Sequence, residues 1–348
     1  MGFQTYGNYF MKVRIIIVLC FLCLAHTGWA HNNVVVIPLL ENDGPKATKG
    51  LNNVVFVALE NGDFTNPVDA VNSITDASSA NPYVIYIAPG RYTIPASQQL
   101  IMKKHVDIVG SGRDSTILDF LFPTGIIVGG AKESTDAAFV IGAEGTTLSE
   151  LTIQGSKNAF FGVGLHYSSG TAPMKVANVK INAQALPGGG VGIYTTSEII
   201  IKNSNVVGLA NFFDAYGVLN DGGKVIISHS RVSAGATITT NVNTVYGVYN
   251  SASATSEIIE SVITTSGGGS VTYYGVFNSH PTASAKIRGS SLFAGTTSFV
   301  ASTGTGSEES FVSDSFFSTA STGDPMCDFV FTHDGAELDN QCKVPGPP

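Results

Sequence analysis

Charge is scarce in this sequence. Only 13% of its 348 residues are charged, and bases are the rarer sign, with 18 Lys and Arg against 26 Asp and Glu. The net charge is -8 and no Lys/Arg stripe gathers anywhere, which argues against nucleic acid and anionic membrane surfaces as partners. Tryptophan occurs once, at Trp29, and cysteine four times. Beyond residue 30 no Cys or His pair stands at metal-ligand spacing, so neither a metal nor a cofactor is expected. Long apolar runs are missing apart from Ile15–Ala25, so no segment of the chain beyond it could cross a membrane as a helix. Strong helix formers are sparse outside two short stretches.

What the sequence has instead is glycine, 39 residues of it, with abundant Ser and Thr, which suits β-structure with many tight turns. A hydrophobic content of 43% excludes global disorder.

The stretch Met11–Ala30 has a short basic start (Lys12, Arg14), an apolar run too short for a comfortable span, and small residues at Gly28 and Ala30. That is the layout of a secretory signal cleaved after Ala30. Residues 1–30 are therefore expected to be removed and the protein to be secreted, periplasmic or on the cell surface. Beyond residue 30 the chain carries 16 bases and 26 acids, a net -10. Only Cys327 and Cys342 remain there, and an even pair in an exported chain points to a disulfide.

Two patterns repeat. The first is apolar-x-x-small-x-apolar. It runs through Leu148-Leu151-Ile153, Val176-Val179-Ile181, Ile201-Ser204-Val206, Ile227-Ser230-Val232, Ile258-Ser261-Ile263 and Ile287-Ser290-Leu292, with a last copy at Phe311-Asp314-Phe316. The second is the phrase "VGLHY", "VGIYT", "YGVLN", "YGVYN", "YGVFN", with glycines at 164, 192, 217, 247 and 275. Both drift around one shared period. Leucine-rich repeats need more Leu, and propeller blades need longer units. A parallel β-helix of stacked coils about 4.8 Å apart fits best.

Stacking assigns roles within the phrase. Leu165, Ile193, Val218, Val248 and Val276 should point inward, whereas Thr239 lies in a Thr-rich turn. The glycine row and the residues His166, Tyr194, Leu219, Tyr249 and Phe277 should point outward. They would form a strip with a glycine floor beside a wall of rings. Flat rings suit the apolar faces of sugars, which makes His166, Tyr194, Tyr249 and Phe277 the candidate ligand-binding residues. Asn220, Asn250 and Asn278 end successive copies and should form a side-chain ladder.

At the front, Asn66 as N-cap, Pro67 at the first helical position, and Val68, Val71 and Ile74 on one face predict a capping helix near residues 66–77. The stretch "GDFTNPVDAVNSI…NPYVIYIAPGRYTI" (Gly62–Ile94), continued by "VDIVGSGRDSTIL" (Val106–Leu118), resembles the opening of pectin methylesterases. More loosely it resembles the pectin-lyase-like superfamily of right-handed β-helices. The later repeats resemble secreted bacterial β-helix proteins of unassigned function. The resemblance implies the fold. Its catalytic motifs are missing: Ile94 stands where pectin methylesterases carry Glu, and their Gln-Asp and Leu-Gly-Arg-Pro-Trp motifs are absent. "DFVF" (Asp328–Phe331) lacks the following glycine and lies after the repeats. The motifs of polygalacturonases and pectate lyases are absent too. Asp214, Asp221 and His229 are isolated candidates for acid–base work on a sugar.

The expectation is an all-β chain forming a single-stranded right-handed parallel β-helix of about ten coils over residues 31–320. A tail, 321–348, covers its end and holds the disulfide. Its function would be a non-catalytic glycan-binding or surface module, with a polysaccharide-active enzyme as the alternative. No catalytic residue is assigned.

Overall fold

The computed structural model describes residues 53–342, apart from 96, 122–130, 158–159, 169, 186–187, 238–243, 252, 268–270, 302–309, 320, 323–324, 329, 333–336 and 341. The signal segment and Thr239 lie outside the described residues. All described residues belong to one unit, Lys49–Pro348.

Within it the strands pair in parallel, coil upon coil, around three faces. The first face begins with Val54–Val57, Tyr83–Ile87 and Val106–Gly110 and continues to Met326–Asp328. The second begins with Gly90–Ile94 and Thr116–Leu121. Two long strands, Thr147–Lys157 and Met174–Ala185, run through both, so their backbone hydrogen bonds join the two faces into one 19-stranded sheet. The third face is a separate 8-stranded sheet that carries the repeated phrase. Among the described residues eight coils therefore possess all three faces, against about ten expected. Among the described residues the end coils fall short: after Thr297–Val300 the third face receives the bridge from Val300 to Thr322.

The turn from first to second face explains the small residue of the first pattern. Asn178, Asn203, His229, Glu260 and Asp314 occupy the left-handed region with φ of 46–53°, in register with Gly289 at 57°. Such a residue turns the chain sharply, and Asn, Asp, His and Gly tolerate it best. From Asn203 onward the next residue is serine, whereas the buried Val179 follows Asn178. The N–H of Ser204 donates to Ser230 Oγ, that of Ser230 to Ser261 Oγ, and that of Ser261 to Ser290 Oγ, each at 3.1 Å. Each hydroxyl in turn donates to the carbonyl two residues before it, as Ser230 does to Ser228 at 2.8 Å. This serine ladder satisfies backbone donors buried at the corner.

Stacking also corrects one repeat. Ile287 pairs with Val312, and Leu292 with Phe317. Val312 and Phe317 are fully buried, while Phe311 is exposed. The last copy is thus Val312-Ser315-Phe317, one residue later than read from the sequence. The local alternation of apolar residues fits either register, and only the stack chooses.

The helix Pro67–Ser73 buries Val68, Ala70 and Val71 in the main core. Asn66 Oδ1 accepts from the Val68 N–H at 2.9 Å, a cap worth about 1 kcal/mol. The helix ends four residues earlier than expected, where Lys103 Nζ donates to the Ile74 carbonyl at 2.6 Å.

At the other end the stack continues beyond residue 320, through Met326–Asp328 and Phe331–Thr332. There the tail folds back. The Leu338 N–H donates to Val330, and the Cys327 N–H to Asn340. Cys327 and Cys342 are disulfide-bonded. An otherwise bare strand edge, a template for unwanted pairing, is covered in this way.

Candidate functional site: the outer side of the third face

The five third-face strands that carry the repeated phrase change their alternation at its glycine. Leu165, Ile193, Val218, Val248 and Val276 are fully buried in the main core, as expected. The glycine before each of the first four faces the same way. A Cβ on Gly164 would meet Ile181 Cγ2 at 2.3 Å, and one on Gly217 would meet Val232 Cγ1 at 2.4 Å. Ile181 and Val232 are core residues. The glycine row is therefore not an outward floor. Two consecutive residues turn inward, and only glycine leaves room for the second-face core behind it.

This shift puts two outward columns on the face, where the sequence suggested one. Tyr216, Tyr246 and Tyr274, just before the glycines, form the unforeseen column and are paired in register. Their rings stack, Tyr216 on Tyr246 at 5.1 Å between centroids with planes 9° apart, and Tyr246 on Tyr274 at 5.5 Å and 15°. In the expected column Tyr249 stacks on Phe277 at 5.6 Å and 18°, and His166 on Tyr194 at 4.7 Å. The columns meet edge to face, with Tyr246 and Tyr249 at 4.9 Å and 80°. The result is a herringbone of rings. The signal in the sequence was the Tyr preceding Gly217, Gly247 and Gly275.

Parallel rings at these distances overlap face to face with an offset. Their faces are turned to one another, so they are not the open platform for sugar faces that the strip implied. What they offer outward is ring edges and hydroxyls.

The face is covered at its early coils and open at its late ones. His166 is 1% exposed, Tyr194 3% and Leu219 2%, while Tyr246, Tyr249, Tyr274 and Phe277 are half-buried. The segment before strand Ala138–Ile141 supplies the cover. His166 Nε2 lies 3.0 Å from the Glu133 carbonyl, Ala137 packs in the outer cluster, and Lys132 Nζ stands 5.9 Å from the rings of Phe161 and Tyr216. Burial lowers the His166 pKa. Of the four candidate ligand residues, His166 and Tyr194 are thus sealed, and Tyr249 and Phe277 are accessible.

Two carboxylates flank the rings. The Tyr216 hydroxyl donates to Asp214 Oδ2 and the Tyr194 hydroxyl to Asp221 Oδ2, both at 3.1 Å. Burial first, then these carboxylates, raises both phenol pKa values. Burial also raises that of Tyr246, to about 12. The phenols therefore remain proton donors at neutral pH.

The isolated acid–base candidates do not converge. Asp214 and Asp221 bracket one strand, Ala215–Asp221, and seven residue steps span about 23 Å, well beyond the separation of roughly 5–9.5 Å used by glycosidase carboxylates. His229 lies on the corner between the other two faces, paired with Glu260 at 2.6 Å. Asp328 ends the terminal first-face strand. Among the described residues no group of three His, Cys, Asp or Glu could hold a metal ion, and no helix is long and apolar enough to cross a membrane.

Asn220, Asn250 and Asn278 are buried at the end of the face. Asn220 Nδ2 donates to Asn250 Oδ1 at 3.1 Å, and Asn250 Nδ2 to Asn278 Oδ1 at 2.8 Å. A second surface feature is a shallow groove at the late corner, where Gly289 interrupts the column of longer corner residues above Asp314, Phe316 and Phe331.

No protein-family model and no curated protein matches the chain. Its structure is similar to solved β-helix enzymes at low identity. Pectate lyase Pel9A matches at 13% identity over 86% of this chain and 88% of its own, with a TM-score of 0.49. Pectin methylesterase from carrot matches at 15% over 80% and 84%, with 0.48. A pectin methylesterase solved with a hexasaccharide matches at 13% over 85% and 93%, with 0.47. The assignment of this chain as a parallel β-helix rests on its own strand register.

Proposed function

We propose that this chain is an exported, non-catalytic polysaccharide-binding module. Its contact surface is the open late part of the third face, where Tyr246, Tyr249 and Tyr274 present hydroxyls beside Phe277. The observation that carries this reading is the register-paired, half-exposed ring array on consecutive coils. It is rigid before any ligand arrives, because each ring is held by its neighbours, so little side-chain entropy is lost on binding. The Tyr246 phenol, whose pKa burial raises to about 12, stays a protonated donor, suited to sugar hydroxyls. The separation of Asp214 from Asp221, and Ile94 in place of a catalytic Glu, support binding over catalysis.

The test is a glycan array probed with wild type and with the triple variant Tyr246→Phe, Tyr249→Phe, Tyr274→Phe. This variant keeps the stacked rings and removes the hydroxyls. Binding by wild type, a loss of at least about tenfold in the variant at unchanged melting temperature, and no product released from the bound polysaccharide are expected. Equal binding by both proteins would move the site elsewhere. Product release would make the chain an enzyme.

A further inference from the structure

The third face differs from the other two in charge. None of its eight strands contains Lys or Arg. The other faces carry Lys175, Lys180, Lys202, Arg231, Lys286 and Arg288 within their strands. Among the described residues one cation approaches the rings, Lys132, and it pairs with Glu133 at 3.1 Å. Asp214 and Asp221 stand at the two edges of the same ring array.

From this asymmetry we infer that the third face selects uncharged polysaccharides and rejects polyuronates, an inference that rests on the glycan-binding reading above. A carboxylated polymer lying across the rings would bring its charges within a Debye length, about 8 Å at physiological ionic strength, of two fixed carboxylates. Among the described residues no free cation on the face would answer it. Binding of acidic sugars relies on Arg or Lys donors, and those of this protein lie on other faces. Neutral sugar hydroxyls meet no such opposition. They can accept from the Tyr249 and Tyr274 hydroxyls and pack against the Phe277 edge.

Polymers with matched backbones test this. Hydroxyethyl cellulose is paired with carboxymethyl cellulose, and fully methyl-esterified homogalacturonan with its de-esterified form. Affinities are measured at low and high salt. For each backbone that binds, the neutral member is expected to bind about tenfold more tightly at low salt, with the gap narrowing as salt rises. In the variant Asp214→Asn, Asp221→Asn the gap should shrink. A Thr272→Lys variant, which places a cation beside the rings, should gain affinity for the carboxylated member. Melting temperatures show whether each variant is folded. Equal or tighter binding of the carboxylated polymers by wild type overturns the selectivity while leaving the glycan-binding reading standing. If a full glycan array shows no ligand of any charge, the glycan-binding reading falls and the selectivity with it.

Discussion

Gly247 lies so close to Ile263 that a Cβ added to it would stand 2.3 Å from Ile263 Cγ2 and 2.5 Å from the Gly275 carbonyl oxygen. Ile263 is fully buried and cannot retreat. Gly247→Ala should therefore lower stability by several kcal/mol, as overpacking against fixed backbone does. Gly222, with φ of 92° and nothing within 4 Å of its missing Cβ, is the contrast. Gly222→Ala should cost only about 1–2 kcal/mol of backbone strain. Urea denaturation of the two variants measures the difference, and equal losses would contradict the inward glycine row.

Val248 is fully buried at the centre of the stack. Val248→Asp buries a carboxylate with no partner and should unfold the middle coils, at a cost of several kcal/mol. Ser266, exposed at the end of a second-face strand, should tolerate Asp within about 0.5 kcal/mol. Thermal melts of both variants check the inside–outside assignment.

The serine ladder predicts a directional effect. In Ser230→Ala the buried N–H of Ser204 loses its acceptor, Ser230 Oγ at 3.1 Å. The cost should be about 1–3 kcal/mol, larger than for removing a surface hydroxyl. Hydrogen exchange should accelerate most at the Ser204 amide. An unchanged exchange rate there would show that the ladder is not the protecting bond.

Burial lowers the His166 pKa below 6.5. A depressed histidine pKa means that the unfolded chain takes up the proton first. Stability from the neutral ring is then fully present above pH 6.5 and declines as pH falls from 6.5 toward the folded pKa. His166→Phe should flatten this limb of the stability–pH curve. A separate acid limb belongs to Glu144, whose pKa is lowered to about 2 by Thr171 and then Lys104, and it should survive in His166→Phe. Melting temperatures between pH 8 and pH 3 separate the two.

Exported protein should begin at His31 and contain no free thiol. N-terminal sequencing checks the first point. Thiol titration under denaturing, non-reducing conditions checks the second. Two titratable thiols would mean that the Cys327–Cys342 bridge does not form.

Much of this protein was legible from its sequence. The drifting period of the two patterns revealed the stacked parallel coils, because stacking demands the same residue type at the same place in each turn. The alternation around Val248 and Val276 assigned the core, and Asn66-Pro67 marked the capping helix. These are local signals, set by a few neighbouring residues. The tertiary structure decided the rest. That both the glycine and the following residue turn inward depends on Ile181, Val206, Val232 and Ile263, which arrive from another face of the solenoid. So does the second ring column, since Tyr246 faces outward only because the alternation breaks at Gly247. The sealing of His166 and Tyr194 needs the segment around Glu133, 33 residues before His166 in the chain. Strand periodicity specifies which side a residue takes within one coil. What stands beside it in the next coil, and what lies over it, is settled only by the packing of residues remote in sequence.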